Sequence, residues 1–266
     1  MPRLRRSKDP ATGEGFFVPA PPRVLAHRGL TTEAPENTLL AFAKAIAIGV
    51  THIETDVHVS ADGVAMISHD PDLRRLTGRR ATVDHLTSQE LRRIDLGAGQ
   101  GYCSLAEALD AFPGTRFNID IKVAGAAVPA ADAIRAANAT ARVLIGSFRA
   151  SRRLAAVRLL PGVATSVSAN GAVAAVAAAR AGNVRVLRRI LRDVQAVQLP
   201  ESVAGMKPFI RRAVTAFHAA EVEVHAWTIN EVSTMERLLA AGVDGLVTDR
   251  ADLALPVVAR WASKAS

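Results

Sequence analysis

The chain holds a single cysteine, Cys103, in 266 residues. No intramolecular disulfide can form, a reducing compartment is the simplest setting, and a cytoplasmic location is expected. The lack of sulfur ligands also argues against a structural zinc site, and Cys103 is expected to be buried rather than reactive. Aromatic residues are scarce, at 4% of the chain, so Ala, Val, Leu and Ile must fill any core. No apolar run approaches the ~18 residues that span a bilayer. The basic residues Arg3, Arg5, Arg6 and Lys8 are not followed by an apolar stretch, and residues 9–22 are rich in Pro, Gly and Ala. A secretory signal is therefore not expected. Residues 1–22 read instead as a disordered basic, Pro-rich arm. No repeat of fixed period and no linker interrupts the remainder, so residues 23–266 read as one domain.

What is present is apolar and basic. Hydrophobic residues make up 49% of the chain, enough for a large core, and the formal net charge is +8. Such a charge suits an anionic substrate or nucleic acid, or it is an arginine-rich habit spread over the surface. The arginines are scattered and aromatics are not interleaved with them, which favours dispersal and speaks against a nucleic-acid partner.

Strand-like apolar runs alternate with helical stretches. Strands are expected at 23–27, 52–59, 64–69, 116–123, 142–147, 163–167, 194–199, 222–228 and 244–248. Helices are expected at 38–48, 104–112, 126–138, 150–160, 171–181, 207–220 and 231–241. Residues 38–48 place Leu39, Phe42, Ala43 and Ile46 on one helical face, with Asn37 as the expected N-cap. Several helices end at glycine, as at Gly49, Gly182 and Gly242. Repeated βα units argue for an α/β fold, a parallel sheet with helices outside, and eight of them close a TIM (β/α)8 barrel. Nine strands for eight places are reconciled by a β-hairpin extension after strand 2. Asp62-Gly63 between alternating segments is a strong hairpin signal. Taken as the turn centre, this pair sets His69 opposite Asp56.

Glu54 and Asp56 lie two residues apart within Thr51-His52-Ile53-Glu54-Thr55-Asp56-Val57. On a strand they share a face, with Cα atoms roughly 6.5 Å apart. Their mutual repulsion is relieved by a hard divalent cation or, more blandly, by solvent at a strand end. Three further clusters also end expected strands: His27-Arg28-Gly29, His69-Asp70-Pro71, and Asp120 with Lys122. In a barrel these ends form one mouth, where active sites sit. Each has a plain reading: His27 as a structural histidine, Arg28 as a surface charge, His69-Asp70-Pro71 as a turn, Asp120 and Lys122 as an ion pair. Four such coincidences at strand ends favour function. Glu54, Asp56 and Asp120 would give oxygen ligands for Mg²⁺ or Ca²⁺. Two histidines allow one acid and one base near neutral pH, while Lys122 and Arg28 suit a phosphate. The chemistry indicated is hydrolysis or transfer at a phosphate ester. His52, His58, His85, His218 and His225 read as structural or surface groups, with His58 alone placed to reach the site.

These residues resemble a known family. His27-Arg28-Gly29, Pro35-Glu36-Asn37-Thr38, Glu54-Thr55-Asp56-Val57, Asp62-Gly63 and His69-Asp70 look, in order and spacing, like the glycerophosphodiester phosphodiesterases. The likeness continues through Asn118-Ile119-Asp120-Ile121-Lys122, Gly146-Ser147-Phe148, Ala226-Trp227-Thr228-Ile229-Asn230 and the segment 242–249. It covers roughly residues 23–255. The resemblance implies a TIM-barrel enzyme that cleaves glycerophosphodiesters to glycerol 3-phosphate and an alcohol. It implies His27 and His69 as acid and base, and Glu54, Asp56 and Asp120 around a divalent metal. Arg28 and Lys122 would contact phosphate, Glu36 would stand beside the site, and Trp227 at the pocket rim. The implied reaction starts with attack by the substrate's own glycerol 2-hydroxyl, giving a cyclic phosphate that water opens. The third acid in the family is more often Glu; Asp120 reaches about 1.5 Å less.

Two alternatives stand beside this expectation. The same barrel could act on a larger lipid by lysophospholipase D-type cleavage, which needs an apolar collar at the mouth, to which Leu30, Tyr102 and Trp227 could contribute. Transient membrane contact would accompany it. The other alternative is a non-catalytic anion or nucleic-acid binder using the positive charge, which has no need of two histidines.

Overall fold

The computed structural model describes residues 15–265. Among the described residues nine strands follow one another: β1 (Arg23–His27), β2 (His52–Val59), β3 (Ala65–Ile67), β4 (Arg116–Ile121), β5 (Val143–Gly146), β6 (Ala164–Thr165), β7 (Ala196–Leu199), β8 (Glu223–Ala226) and β9 (Gly245–Thr248). All but β3 are parallel, in the order β6-β5-β4-β2-β1-β9-β8-β7. A parallel bridge from Ser166 to Ala196 joins the two ends of that order. The result is a nearly closed barrel of eight parallel strands, as the βα alternation predicts. The helices that pack outside it include α1 (Leu39–Ala47), α2 (Arg74–Thr77), α3 (Ser88–Arg92), α4 (Leu105–Ala111), α5 (Ala127–Ala136), α6 (Ala150–Leu159), α7 (Ala169–Ala181), α8 (Val184–Ile190), α9 (Arg211–Ala219), α10 (Val232–Ala241) and α11 (Ala251–Ala265). Of these, α2, α3, α8 and α11 are additions to the sequence expectation.

Strand alternation divides the core in two. Outward residues such as Val24, Ala26, Ile53, Val57, Ile119 and Ile145 join the helices in one large apolar cluster. Inward residues Leu25, Leu144, Ala164, Ala196 and Val247 form a smaller one inside the barrel, closed by Phe16.

Phe16 corrects the expected arm. Residues 1–14 lie outside the described residues, but residues 15–18 pack beneath the barrel, while Pro19, Ala20 and Pro21 stay exposed. Phe16 is 1% exposed, and its amide donates to Ala141 O (2.9 Å). Arg23 anchors the segment by donating from Nη2 to Phe17 O (2.9 Å) and Pro19 O (2.8 Å). A composition rich in Pro and Gly reads as disorder, yet the barrel floor offers an apolar hole that a phenylalanine fills.

The hairpin exists, but its register differs by one from the expectation. Val57 pairs with Ile67, His58 with Met66 and Val59 with Ala65, so Ser68, not His69, stands opposite Asp56, to whose carbonyl it donates (3.0 Å). The cause is the turn. Ser60 N donates to Val64 O (3.0 Å) and Gly63 N to Ser60 O (3.0 Å), which makes a three-residue loop with Gly63 left-handed at φ +78°. Such a loop centres on Asp62 rather than on the Asp-Gly bond. Asp62 holds it by accepting from Ser60 Oγ (2.5 Å) and from Ser88 N and Oγ (both 2.8 Å).

Candidate active site

The connection after β1 sets the first part of the site. Arg28 N still donates to Glu54 O (2.9 Å), prolonging the β1–β2 ladder, while Arg28 itself turns left-handed at φ +58°. Gly29 follows at φ +89°, where an added Cβ would lie 2.6 Å from the Ala41 carbonyl carbon. Glycine is therefore required for α1 to approach the strand end this closely. The N-cap of α1 is Thr38, whose side chain accepts from Ala41 N (3.2 Å), not Asn37 as the sequence suggests. Asn37 is buried and left-handed, at φ +58°. Its Nδ2 donates to Asp56 Oδ2 (3.1 Å) and its Oδ1 accepts from Thr55 Oγ1 (2.7 Å). A side chain bound to the site's acid cannot also cap the helix.

The strand ends then converge. His27, Arg28, Glu54, Asp56, His69, Asp120, Lys122 and Trp227 all line one cavity of about 360 Å³ at the C-terminal mouth of the barrel. Of the nine residues the sequence singles out, Glu36 alone is not in that lining. Its carboxylate lies behind Arg28, accepting from Arg28 Nη1 (3.0 Å) and from Arg75 Nη2 (2.6 Å) and Nη1 (2.9 Å). With both oxygens committed to guanidinium groups, it orients Arg28 instead of facing the cavity. His58 also stays out, donating from Nε2 to the His69 carbonyl (3.3 Å). Cys103 is buried, and burial pushes its thiol up to about 12.

The acids are unequally partnered. Lys122 Nζ lies 2.8 Å from both Asp56 Oδ1 and Asp120 Oδ2, and Arg28 Nε lies 3.3 Å from Asp56 Oδ2. Burial would raise the Asp56 carboxyl, but Lys122 and Arg28 outweigh it and hold it below its usual value. Glu54 has only the more distant His27 Nε2, at 3.8 Å from its Oε2, and the field of Lys122 to set against burial. Burial, reinforced by the charge of Asp56, pushes its carboxyl up to about 8. Glu54 Oε2 and Asp120 Oδ1 are buried without a hydrogen-bond partner. Among the described residues no three His, Cys, Asp or Glu side chains already stand in ligating geometry. The all-oxygen donor set and its two unpartnered oxygens nonetheless fit a hard divalent cation.

Each imidazole carries its own carboxylate. His27 Nδ1 donates to Asp249 Oδ1 (2.6 Å), and His69 Nδ1 donates to Asp70 Oδ1 (2.7 Å). Burial works to lower His27, but the Asp249 bond and the charge of Glu54, whose Oε2 lies 3.8 Å from Nε2, raise it above the usual value. Asp249 and Asp70 have no role in the sequence expectation, although both belong to the motifs that carry the resemblance; Asp249 directly follows β9, just as Arg28 directly follows β1. Opposite the charged half, Val167, Ala172, Val173, Leu199, Pro200 and Val203 form an apolar wall. Trp227 meets Phe148 edge to face at 5.8 Å between centroids.

Residues 27–253 match the family described as glycerophosphoryl diester phosphodiesterases. The chain belongs to this family. It is accordingly a phosphodiesterase, an enzyme that cleaves phosphoric diesters. A protein of Mycobacterium tuberculosis named probable glycerophosphodiester phosphodiesterase 2 is 44% identical over 231 residues, covering 86% of this chain and 88% of the relative. A phosphodiesterase of Oleispira antarctica, solved with the product sn-glycerol-3-phosphate, superposes with a TM-score of 0.74 at 26% identity, over 90% of this chain and 97% of that one. A lysophospholipase D of Rattus norvegicus is 37% identical over 114 residues, 38% of this chain and 36% of the relative.

Proposed function

We propose that this phosphodiesterase hydrolyses glycerophosphodiesters to glycerol 3-phosphate and an alcohol, using a divalent cation, Mg²⁺ or Ca²⁺, and two histidines. The observation that carries the reading is the gathering of His27, His69, Arg28, Lys122 and three carboxylates around one cavity. The product bound by the Oleispira antarctica enzyme gives the same direction. Glu54, Asp56 and Asp120 would hold the cation. When bound, it supplies positive charge at the phosphoryl oxygens and lowers the pKa of the attacking hydroxyl. Arg28 and Lys122 bind the phosphate and its developing charge, with Glu36 fixing Arg28. One imidazole takes the proton of the glycerol 2-hydroxyl as that oxygen bonds to phosphorus. The other gives its proton to the oxygen of the departing alcohol as the P–O bond breaks. The two exchange roles when water opens the cyclic ester. Trp227 lines the apolar side of the pocket against the organic part of the substrate. A cytoplasmic setting rests on the lone Cys103; among the described residues no helix is long and apolar enough to cross a membrane.

The test is release of glycerol 3-phosphate from glycerophosphocholine and glycerophosphoethanolamine, with Mg²⁺, with Ca²⁺ and with chelator. Release that needs the cation is expected. Equal rates in chelator would remove the metal from the reading, and no release from either diester would remove the substrate class.

A second reading, cleavage of a larger lipid diester, is favoured by one observation. Phe148 and Val173 line the apolar side of the cavity yet are 57% and 41% exposed. A Phe148→Ala variant separates the readings. Under the second reading the variant loses turnover of a micellar lysophospholipid while keeping that of glycerophosphocholine; under the first, neither wild type nor variant turns over the micellar lipid appreciably.

A further inference from the structure

We infer that Asp249 is a positioning residue for His27, held in place by Asn230, so that the loops after β8 and β9 jointly fix the ring that meets the substrate. The inference rests on the proposed acid–base function and extends it to residues for which no role has been given.

The geometry is a chain of three side chains. A carboxylate has only acceptors, so the 2.6 Å contact of Asp249 Oδ1 with His27 Nδ1 places the proton on Nδ1. Nε2 is then the nitrogen presented to the cavity, on the side where Glu54 lies 3.8 Å away. Asp249 is fixed in turn. Its Oδ2 accepts from Asn230 Nδ2 (2.8 Å), and its backbone N–H donates to Asn230 Oδ1 (3.0 Å), which also accepts from Thr248 Oγ1 (3.1 Å). Every polar atom of the Asn230 amide group thus serves to hold residues 248 and 249.

The partner of His69 is built differently. Asp70 Oδ2 accepts from Arg75 Nε (2.5 Å), and Arg75 also grips Glu36. A guanidinium shares the charge of Asp70. The second oxygen of Asp249 meets a neutral amide instead, so its charge stays available to the imidazole. Of the two carboxylates, Asp249 is the one whose loss should be felt most in turnover.

The experiment measures kcat and KM on glycerophosphocholine with saturating cation for wild type, Asp249→Asn, Asp249→Ala, His27→Ala and the double variant Asp249→Asn/His27→Ala. Asp249→Asn keeps shape but offers Nδ1 a donor, favouring the wrong tautomer. It is expected to lower kcat about 10²-fold or more, with KM and the Kd for glycerol 3-phosphate within about twofold. It should be as damaging as Asp249→Ala, and it should cost nothing further once His27 is alanine. A structural role predicts the reverse: Asn milder than Ala, and losses that multiply in the double variant. Either of those results, or wild-type kcat in Asp249→Asn, overturns the inference. If Asp249→Asn fails to fold, Asn230→Ala takes its place, with a loss of about tenfold that also vanishes in the His27→Ala background. The parent reading fails separately, by a His27→Ala enzyme of normal activity.

Discussion

At the floor of the barrel, Arg23, His52 and His225 are as deeply buried as anything in the molecule, at 2%, 0% and 0% exposure. Arg23 pairs with Glu223 and with the carbonyls of residues 17 and 19. His52 donates from Nε2 to Phe16 O (2.6 Å) and accepts at Nδ1 from Thr51 Oγ1 (2.9 Å), and His225 contacts Glu223 and Gln198. At the mouth, Glu54 and Asp56 are also buried, at 8% and 2%. There Glu54 Oε2, Asp120 Oδ1 and Arg28 Nε lack hydrogen-bond partners. Buried polar groups are nearly always satisfied from within a fold. The floor obeys that rule and is structure. The mouth departs from it on three groups that converge on one cavity, which is what a site kept for a charged ligand requires. Both ends hold histidines and acids, so residue type does not separate them; partnership does.

Substitutions should therefore cost activity at one end and stability at the other. The largest effect is expected at the mouth. His27→Ala and His69→Ala should each lose at least ~10² in turnover, the usual scale for a general acid or base, with denaturant midpoints near wild type. Near-normal turnover in both would discard the acid–base pair. At the floor, Phe16→Ala should cost about 3–5 kcal/mol of stability and leave kcat unchanged in the folded fraction. Urea unfolding and a parallel assay at low temperature measure both; a stable variant would mean that residues 15–22 contribute little.

The next effect is one of pH. Burial depresses His52 to about 3, so below its ordinary value of about 6.5 the unfolded chain takes up a proton that the folded one refuses. Stability from this group is present above pH 6.5 and is lost as pH falls toward 3. His52→Gln should cost about 1 kcal/mol at pH 7 through the lost hydrogen bond. That deficit should close between pH 6.5 and 5, as the wild type loses up to about 2 kcal/mol there. Parallel stability curves for the two proteins would contradict it. The smallest effect separates neighbours. Thr38→Ala should lose about 1 kcal/mol as an N-cap without change in turnover, whereas Asn37→Ala should reduce turnover through Asp56. The reverse assignment would follow if Asn37→Ala lowered only the melting temperature.

The barrel was legible in the sequence because its strands are local patterns. Alternating apolar runs, glycine stops and the Asp62-Gly63 signal mark nine strands without knowledge of any partner. Seven of the nine singled-out residues share the cavity because they sit on or just after parallel strands, whose C-terminal ends a barrel sends to one face; Glu54 and Asp56 lie within β2, which runs on into the hairpin, and His69 is brought back to them by the antiparallel β3. What escaped was set by distant contacts. Phe16 looked like part of a disordered arm because its hole exists only once the barrel closes. Glu36 looked like a site residue because Arg75, which takes up its carboxylate, lies 39 positions away. Asp249 is separated from His27 by 222 positions. The hairpin register slipped by one because two- and three-residue turns both place glycine after aspartate. Asn37 and Thr38 are both good caps by type, and only the bond to Asp56 tells which one is free to act.

The unpartnered acids of the mouth are best tested by titrating chelator-stripped protein with Mg²⁺ and with Ca²⁺ in a calorimeter, beside Glu54→Gln and Asp120→Asn. One saturable site per chain is expected in the wild type for at least one of the two cations, accompanied by a rise in melting temperature, and both signals should be lost or strongly weakened in each variant. No heat and no thermal shift with either cation, or binding that survives both substitutions, would contradict the claim that these carboxylates are reserved for a cation.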